Sequence, residues 1–190
     1  MIHISSGCIY SGYAKEYTEK DLPNFGLFDN ESSWYSKTKH AAELILKDRN
    51  AYIFRIRMPF TKDNTPRNFL NKVLKYDNLI DFDNSMTGIE DLAKFILNFL
   101  KKDWNAYLAP DIFNVVNPGA ISIREIVNIM RKYDIDNKNW KFVDIETLQL
   151  KANRSNCILD SSKITKLNLG LPDINTSIES TIKMFSKSVL

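Results

Sequence analysis

Tyr35-Ser36-Lys37-Thr38-Lys39 sets a phenol and an amine four residues apart, so that on a helix both side chains share one face. A free phenol titrates near pH ~10, and acid/base work near neutrality calls for a neighbouring cation that favours the phenolate. Lys39 is spaced to be that cation. The helix is signalled by Asn30, Ser32 and Ser33 as candidate caps and by Ala41, Ala42, Leu44, Ile45 and Leu46, which predict a broad apolar face. Y-x-x-x-K also occurs on charged helices with a solvated face, so the surrounding chain has to decide.

Ile2-His3-Ile4-Ser5-Ser6-Gly7-Cys8-Ile9-Tyr10 reads as a short strand running into a Ser/Gly turn, with the Ser6 hydroxyl and the Cys8 thiol two residues apart. A strand end that presents a serine, followed by a Tyr/Lys helix, is an arrangement for hydrogen-bonding a carbonyl under reduction. Further along come Arg55-Ile56-Arg57-Met58-Pro59, Asn64-Thr65-Pro66-Arg67-Asn68-Phe69 and Asn84-Ser85-Met86-Thr87. Phe113-Asn114-Val115-Val116-Asn117-Pro118-Gly119 and Arg154-Ser155-Asn156-Cys157 complete the series.

In this order and spacing the strings resemble the extended short-chain dehydrogenase/reductases, the family of nucleotide-sugar epimerases, dehydratases and reductases. Within it they are most similar to the UDP-4-keto-6-deoxyglucose 3,5-epimerase/4-reductases that make UDP-rhamnose. The resemblance covers nearly the whole chain. It implies Ser6, Tyr35 and Lys39 as the catalytic trio, and Tyr35, Lys39 and the loop after Met58 at the nicotinamide end of NAD(P)H. It also implies Cys8 and Lys72 as an acid/base pair, because epimerisation beside a ketone removes a proton from one face and returns one on the other. Cys8 also suits a small buried hydrophobe, and Lys72 an exposed helix lysine.

Arg154 is the candidate for the substrate diphosphate, since a guanidinium can bind phosphate oxygens in pairs; a surface loop arginine is the other reading. Asn68 matches a substrate-contacting position, although asparagine also suits turns and caps. His3 and His40 match nothing catalytic, and Trp34 reads as packing.

Members of that family open on a glycine-rich strand-to-helix turn that receives the dinucleotide pyrophosphate. The six glycines here are dispersed and form no such fingerprint. The chain therefore reads as the C-terminal two thirds of an enzyme, with three explanations open: a separate N-terminal polypeptide supplies the rest, the start is placed too late, or the gene is decaying. Binding of NAD(P)H by the chain alone is expected to be weak or absent, and a strand edge normally paired by that half is expected to be open. The alternative is a catalytically inactive nucleotide-sugar-binding or interaction module that has lost its cofactor site.

Composition bounds the rest. The 190 residues are 44% hydrophobic and 26% charged with a net charge of +3, as in an ordinary globular protein. Basic residues do not cluster, which gives nucleic-acid or membrane-surface binding no footing. Two cysteines and two histidines, all separated, outline neither a disulfide framework nor a metal site, and a reduced, cytoplasmic setting is expected. No apolar run reaches the ~20 residues that span a bilayer.

Strands at 51–57, 79–82, 112–116 and 141–143 alternate with helices, which predicts an α/β fold with parallel pairing. The predicted helices begin at Thr65-Pro66, at Thr87 with Glu90, at Ser122 with Glu125 and at Thr176 with Glu179, the last three as capping boxes. Short helices are expected over 145–150 and 160–168. Residues 1–60 are assigned to the remaining part of a Rossmann-like domain. Residues 61–190 are assigned mainly to a smaller α/β substrate-binding subdomain, interleaved with returning Rossmann elements. The long polar connection from Tyr10 to Ser33 is of a length usually kept for function.

Overall fold

A computed structural model of the protein describes residues 1–102, 110–135, 138–147 and 153–189. In chain order it holds β1 (Ile2–Ser6), a 3-10 turn (Gly7–Ile9), α1 (Trp34–Leu46), β2 (Tyr52–Ile56), β3 (Pro59–Phe60), α2 (Phe69–Lys75), β4 (Asn78–Leu79) and β5 (Thr87–Gly88). There follow α3 (Ile89–Lys101), β6 (Ile112–Asn114), α4 (Ile123–Lys132), β7 (Lys141–Phe142), a 3-10 turn (Ile145–Thr147), α5 (Ser162–Thr165) and α6 (Ile174–Val189). The predicted helix over 145–150 is this 3-10 turn, and its last residues lie outside the described ones.

Every ladder between these strands is parallel, as the alternation of strand and helix requires. The largest sheet runs β1-β2-β6, with Ser6 opposite Ile56 and Arg55 opposite Asn114. Among the described residues β1 pairs with β2 alone, so its other edge carries no strand. Successive β2 residues face opposite ways. Phe54 packs with Phe99 at 5.1 Å and Phe113 at 5.9 Å between ring centres, on the α3 side. Arg55 turns to the α1 side, where it meets Glu43. A second core around Phe60, Leu70, Met86, Ile126, Ile178 and Phe185 joins α2, α4 and α6.

Several local expectations are corrected. The buried face of α1 is Ser36, His40 and Glu43, while Leu44 and Ile45 point outward; the buried ion pair with Arg55, not apolar packing, sets the helix rotation. Helix α2 starts later than Thr65-Pro66, because the Asn68 side chain, not Thr65, accepts the Leu70 amide as its cap. Thr87 is no cap for α3: its hydroxyl accepts from the Arg57 amide and donates to the Val115 carbonyl, while Glu90 accepts from Thr61. The Ser122/Glu125 capping box is present in both directions. Helix α6 begins a turn early, since Asp173 accepts from both the amide and the hydroxyl of Thr176, and Glu179 pairs with Lys132 instead.

Candidate active site

The carboxyl ends of β1 and β2 lie side by side, which in an open parallel sheet is where ligands bind. At the end of β1, Ser6 is buried and caps the 3-10 turn by accepting the Cys8 amide at 3.2 Å. That bond uses an oxygen lone pair and leaves the hydroxyl hydrogen available. Helix α1 packs on β1 and on the turn, so its first turn brings Tyr35 and Lys39 to the same end of the sheet. Lys39 Nζ lies 5.8 Å from the centre of the Tyr35 ring and donates to the Ile4 carbonyl at 3.2 Å. Tyr35 is about half exposed, at 52%.

At the end of β2, Met58 adopts a left-handed φ of 39°, a strained conformation for a residue with a side chain. Arg57 beside it is anchored through its amide to Thr87. Beyond Met58 opens a cavity of about 670 Å³, within the range of small-molecule sites. Its wall includes Met58, Lys72, Phe82, Asn84, Arg154 and Asn156. Lys72 and Arg154, far apart in sequence, thus share one cavity.

Ser6, Cys8, Tyr35 and Lys39 are not in that wall, and Arg57 connects the two groups. Its Nη1 donates to Ser155 Oγ at 2.9 Å and to Cys8 Sγ at 3.7 Å, and its Nη2 donates to Asn84 Oδ1 at 2.5 Å. Asn68 stands apart from the cavity. Its amide nitrogen donates to the Thr61 and Asp63 carbonyls and its oxygen accepts from the Thr61 and Leu70 amides, so both ends of the side chain are committed to backbone. These bonds make it the cap of α2 and hold the loop before that helix, as the turn-and-cap reading expects.

The connection after β1 folds over this region. Gly12 donates to the Asn156 carbonyl, Ser155 donates to the Tyr10 carbonyl, and the Tyr13 hydroxyl donates to the Asp83 carbonyl. Burial pushes Tyr10 up to about 12 and the Cys157 thiol up to about 11, which keeps both neutral. Glu43 stands in none of the strings that carry the resemblance, and Arg55, Arg57, Asn84 and Ser155 stand in them with no role assigned. A usable signal is Arg55-Ile56-Arg57, which puts two arginines on one side of an apolar strand, where each needs a partner.

Tyr35, Lys39 and the Met58 turn suit the nicotinamide end of a dinucleotide, offering a hydroxyl, an amine and a shaped backbone at one sheet edge. The pyrophosphate end is not matched. Among the described residues no glycine-rich strand-to-helix turn presents a row of amides, and β1 leads instead into a 3-10 turn closed by Ser6. No cluster of His, Cys, Asp or Glu there outlines a metal site, and no helix is long and apolar enough to cross a membrane.

The bifunctional dTDP-4-dehydrorhamnose 3,5-epimerase/dTDP-4-dehydrorhamnose reductase of Arabidopsis thaliana is 34% identical over 96% of this chain and 60% of its own length. The L780 UDP-rhamnose synthase of Acanthamoeba polyphaga mimivirus superposes with a TM-score of 0.81 at 33% identity, over 96% of this chain and 64% of that one. A dTDP-4-dehydrorhamnose reductase of Bacillus anthracis, solved in complex with NADP, shares the fold at a TM-score of 0.73 and 19% identity, over 100% of this chain and 65% of that one. The chain spans less than two thirds of each of these relatives. The RmlD substrate binding domain family matches residues 1–187, and the chain belongs to that family.

Proposed function

We propose that this chain is the substrate-binding and acid/base portion of a nucleotide-sugar epimerase/reductase acting on a 4-keto-6-deoxy nucleotide sugar with NAD(P)H. The observation that carries the proposal is the shared cavity of Lys72, Arg154 and Met58, joined through Arg57 to Cys8 beside Ser6.

In this reading Arg154 holds the diphosphate and the sugar lies toward Met58. When bound, the dinucleotide supplies hydride to C4. Tyr35 donates its phenolic proton to the developing C4 alkoxide, the free hydroxyl hydrogen of Ser6 bonds to the same oxygen, and Lys39 gives the phenol a cationic neighbour. In the epimerase half, Cys8 and Lys72 work from opposite sides. One takes the proton from a carbon next to the ketone, the C–H electron pair moves into an enolate, and the other returns a proton to the opposite face. Residues 1–60 thus carry the reduction chemistry, and 61–190 mainly the sugar site. Because the pyrophosphate cradle is unmatched among the described residues, these residues alone are expected to bind NAD(P)H weakly.

Isothermal titration of the chain with UDP tests the binding half of the proposal. Saturable binding is expected, weakened about tenfold or more in Arg154→Met by loss of a charge-assisted contact of ~1.5–3 kcal/mol. Absence of UDP or dTDP binding to the folded chain opposes it. Nucleotide-sugar binding without any proton exchange supports the inactive binding module instead.

A further inference from the structure

We infer that Arg57 is a positioning residue for the proton chemistry of this site: its buried guanidinium imposes a positive potential on Cys8 Sγ and ties that sulfur to the Arg154-bearing wall. The inference rests on the reading of Cys8 as an acid/base group.

Arg57 is 1% exposed, one of the largest fully buried side chains. Each acceptor it meets is neutral or a thiol: Ser155 Oγ at 2.9 Å, the Ser155 carbonyl at 2.6 Å, Asn84 Oδ1 at 2.5 Å and Cys8 Sγ at 3.7 Å. Its Nε is buried without a partner. Among the described residues no carboxylate pairs with it. Arg55, two residues earlier, is 3% exposed and held by Glu43 through three hydrogen bonds. Two neighbouring arginines are therefore buried alike, and one lacks a counter-ion.

An uncompensated buried cation is costly, and electrostatically perturbed groups concentrate at functional sites. Among the described residues, three ionisable groups face Arg57: Cys8, Cys157 and Tyr13. Cys157 is fully buried, and the Tyr13 hydroxyl is committed to the Asp83 carbonyl. Of these, Cys8 alone both accepts from the guanidinium and is partly exposed. A sulfur that removes a proton from carbon does so as the thiolate, and Arg57 stands where that anion needs a partner. The same guanidinium grips Ser155, next to Arg154, and Asn84 in the cavity wall, so one side chain sets the sulfur relative to the residues that hold the sugar.

Alkylation of Cys8 in the intact chain, located by peptide mass mapping with buried Cys157 as the internal reference, reads this potential without any sugar or dinucleotide. Anionic iodoacetate is compared with neutral iodoacetamide. Arg57→Met is expected to lower the iodoacetate/iodoacetamide rate ratio about fivefold or more. Arg57→Lys, which keeps the charge but not the fork, is expected to restore part of it. Asn84→Asp, which sets a carboxylate on Nη2 while leaving Arg57 in place, is expected to lower the ratio too and serves if Arg57→Met does not fold. Equal loss of both rates with an unchanged ratio in the folded variants overturns the inference, as does a Cys8 that neither reagent labels. If the ratio falls as expected yet Cys8→Ala leaves sugar exchange intact, the potential stands and the acid/base reading of Cys8 fails.

Discussion

Glu43 Oε2 on α1 lies 2.6 Å from Arg55 Nη2 on β2, with both side chains almost wholly buried. Ser5 adds a third element by donating to Glu43 Oε1 at 2.5 Å, and Arg55 Nη1 donates to the Tyr10 hydroxyl at 2.9 Å. This one ion pair fixes the helix that carries Tyr35 and Lys39 against the sheet whose ends hold Ser6 and Met58. Glu43→Gln leaves the Arg55 charge buried and uncompensated, and is expected to cost ~3–5 kcal/mol. A urea unfolding series should show it. The double change Glu43→Leu with Arg55→Met is expected to cost less than either single change, because both charges leave together.

His40, on the same buried face, accepts the Leu27 amide on Nδ1 at 3.0 Å and so must be neutral there. Burial holds its pKa below the ordinary 6.5, and burial acts the same way on His3. The folded chain binds these protons less readily than the unfolded one. Their stability contribution is thus complete above 6.5 and falls as pH drops through the folded values. Urea midpoints should decline as pH falls below the ordinary histidine value of 6.5, and His40→Gln should flatten part of that decline.

Gly26 lies so close to the His40 ring that a Cβ there would run into Nδ1. Gly26→Ala is expected to destabilise by ~1–3 kcal/mol through this overlap. It should also raise amide hydrogen exchange at Leu27, whose bond to His40 the overlap displaces.

Much of the fold is legible in the sequence where one residue type does one job. The Ser122/Glu125 box, the strand at 52–56 and the Tyr35 helix follow from local chemistry and hydrophobic period. The rotation of α1 is not legible there, because Leu44, Ile45 and Leu46 outweigh a single Glu43 in any apolar pattern, and Arg55, the partner that turns Glu43 inward, lies on a separate strand. Thr87 misleads for a related reason. A hydroxyl that suits a cap also suits a backbone bond elsewhere, and only the fold shows which groups come within reach.

Tyr35→Phe keeps the ring and removes the proton donor. In the chain complemented with a dinucleotide-binding N-terminal half, 4-keto reduction followed by NADPH oxidation is expected to fall by ~100-fold to 10,000-fold. UDP affinity should remain unchanged, because Tyr35 lies outside the cavity wall that holds Arg154.

Epimerisation requires a base and an acid but no hydride, so the central claim can be tested on the chain itself, with and without the complementing half. The measurement is deuterium incorporation at C3 and C5 of a UDP-4-keto-6-deoxy sugar in heavy water, followed by NMR and mass spectrometry. The account predicts exchange above the protein-free rate, falling by ~100-fold or more in Cys8→Ala and in Lys72→Ala. A sugar that binds in the cavity yet exchanges no faster than in buffer, in both preparations, would contradict it.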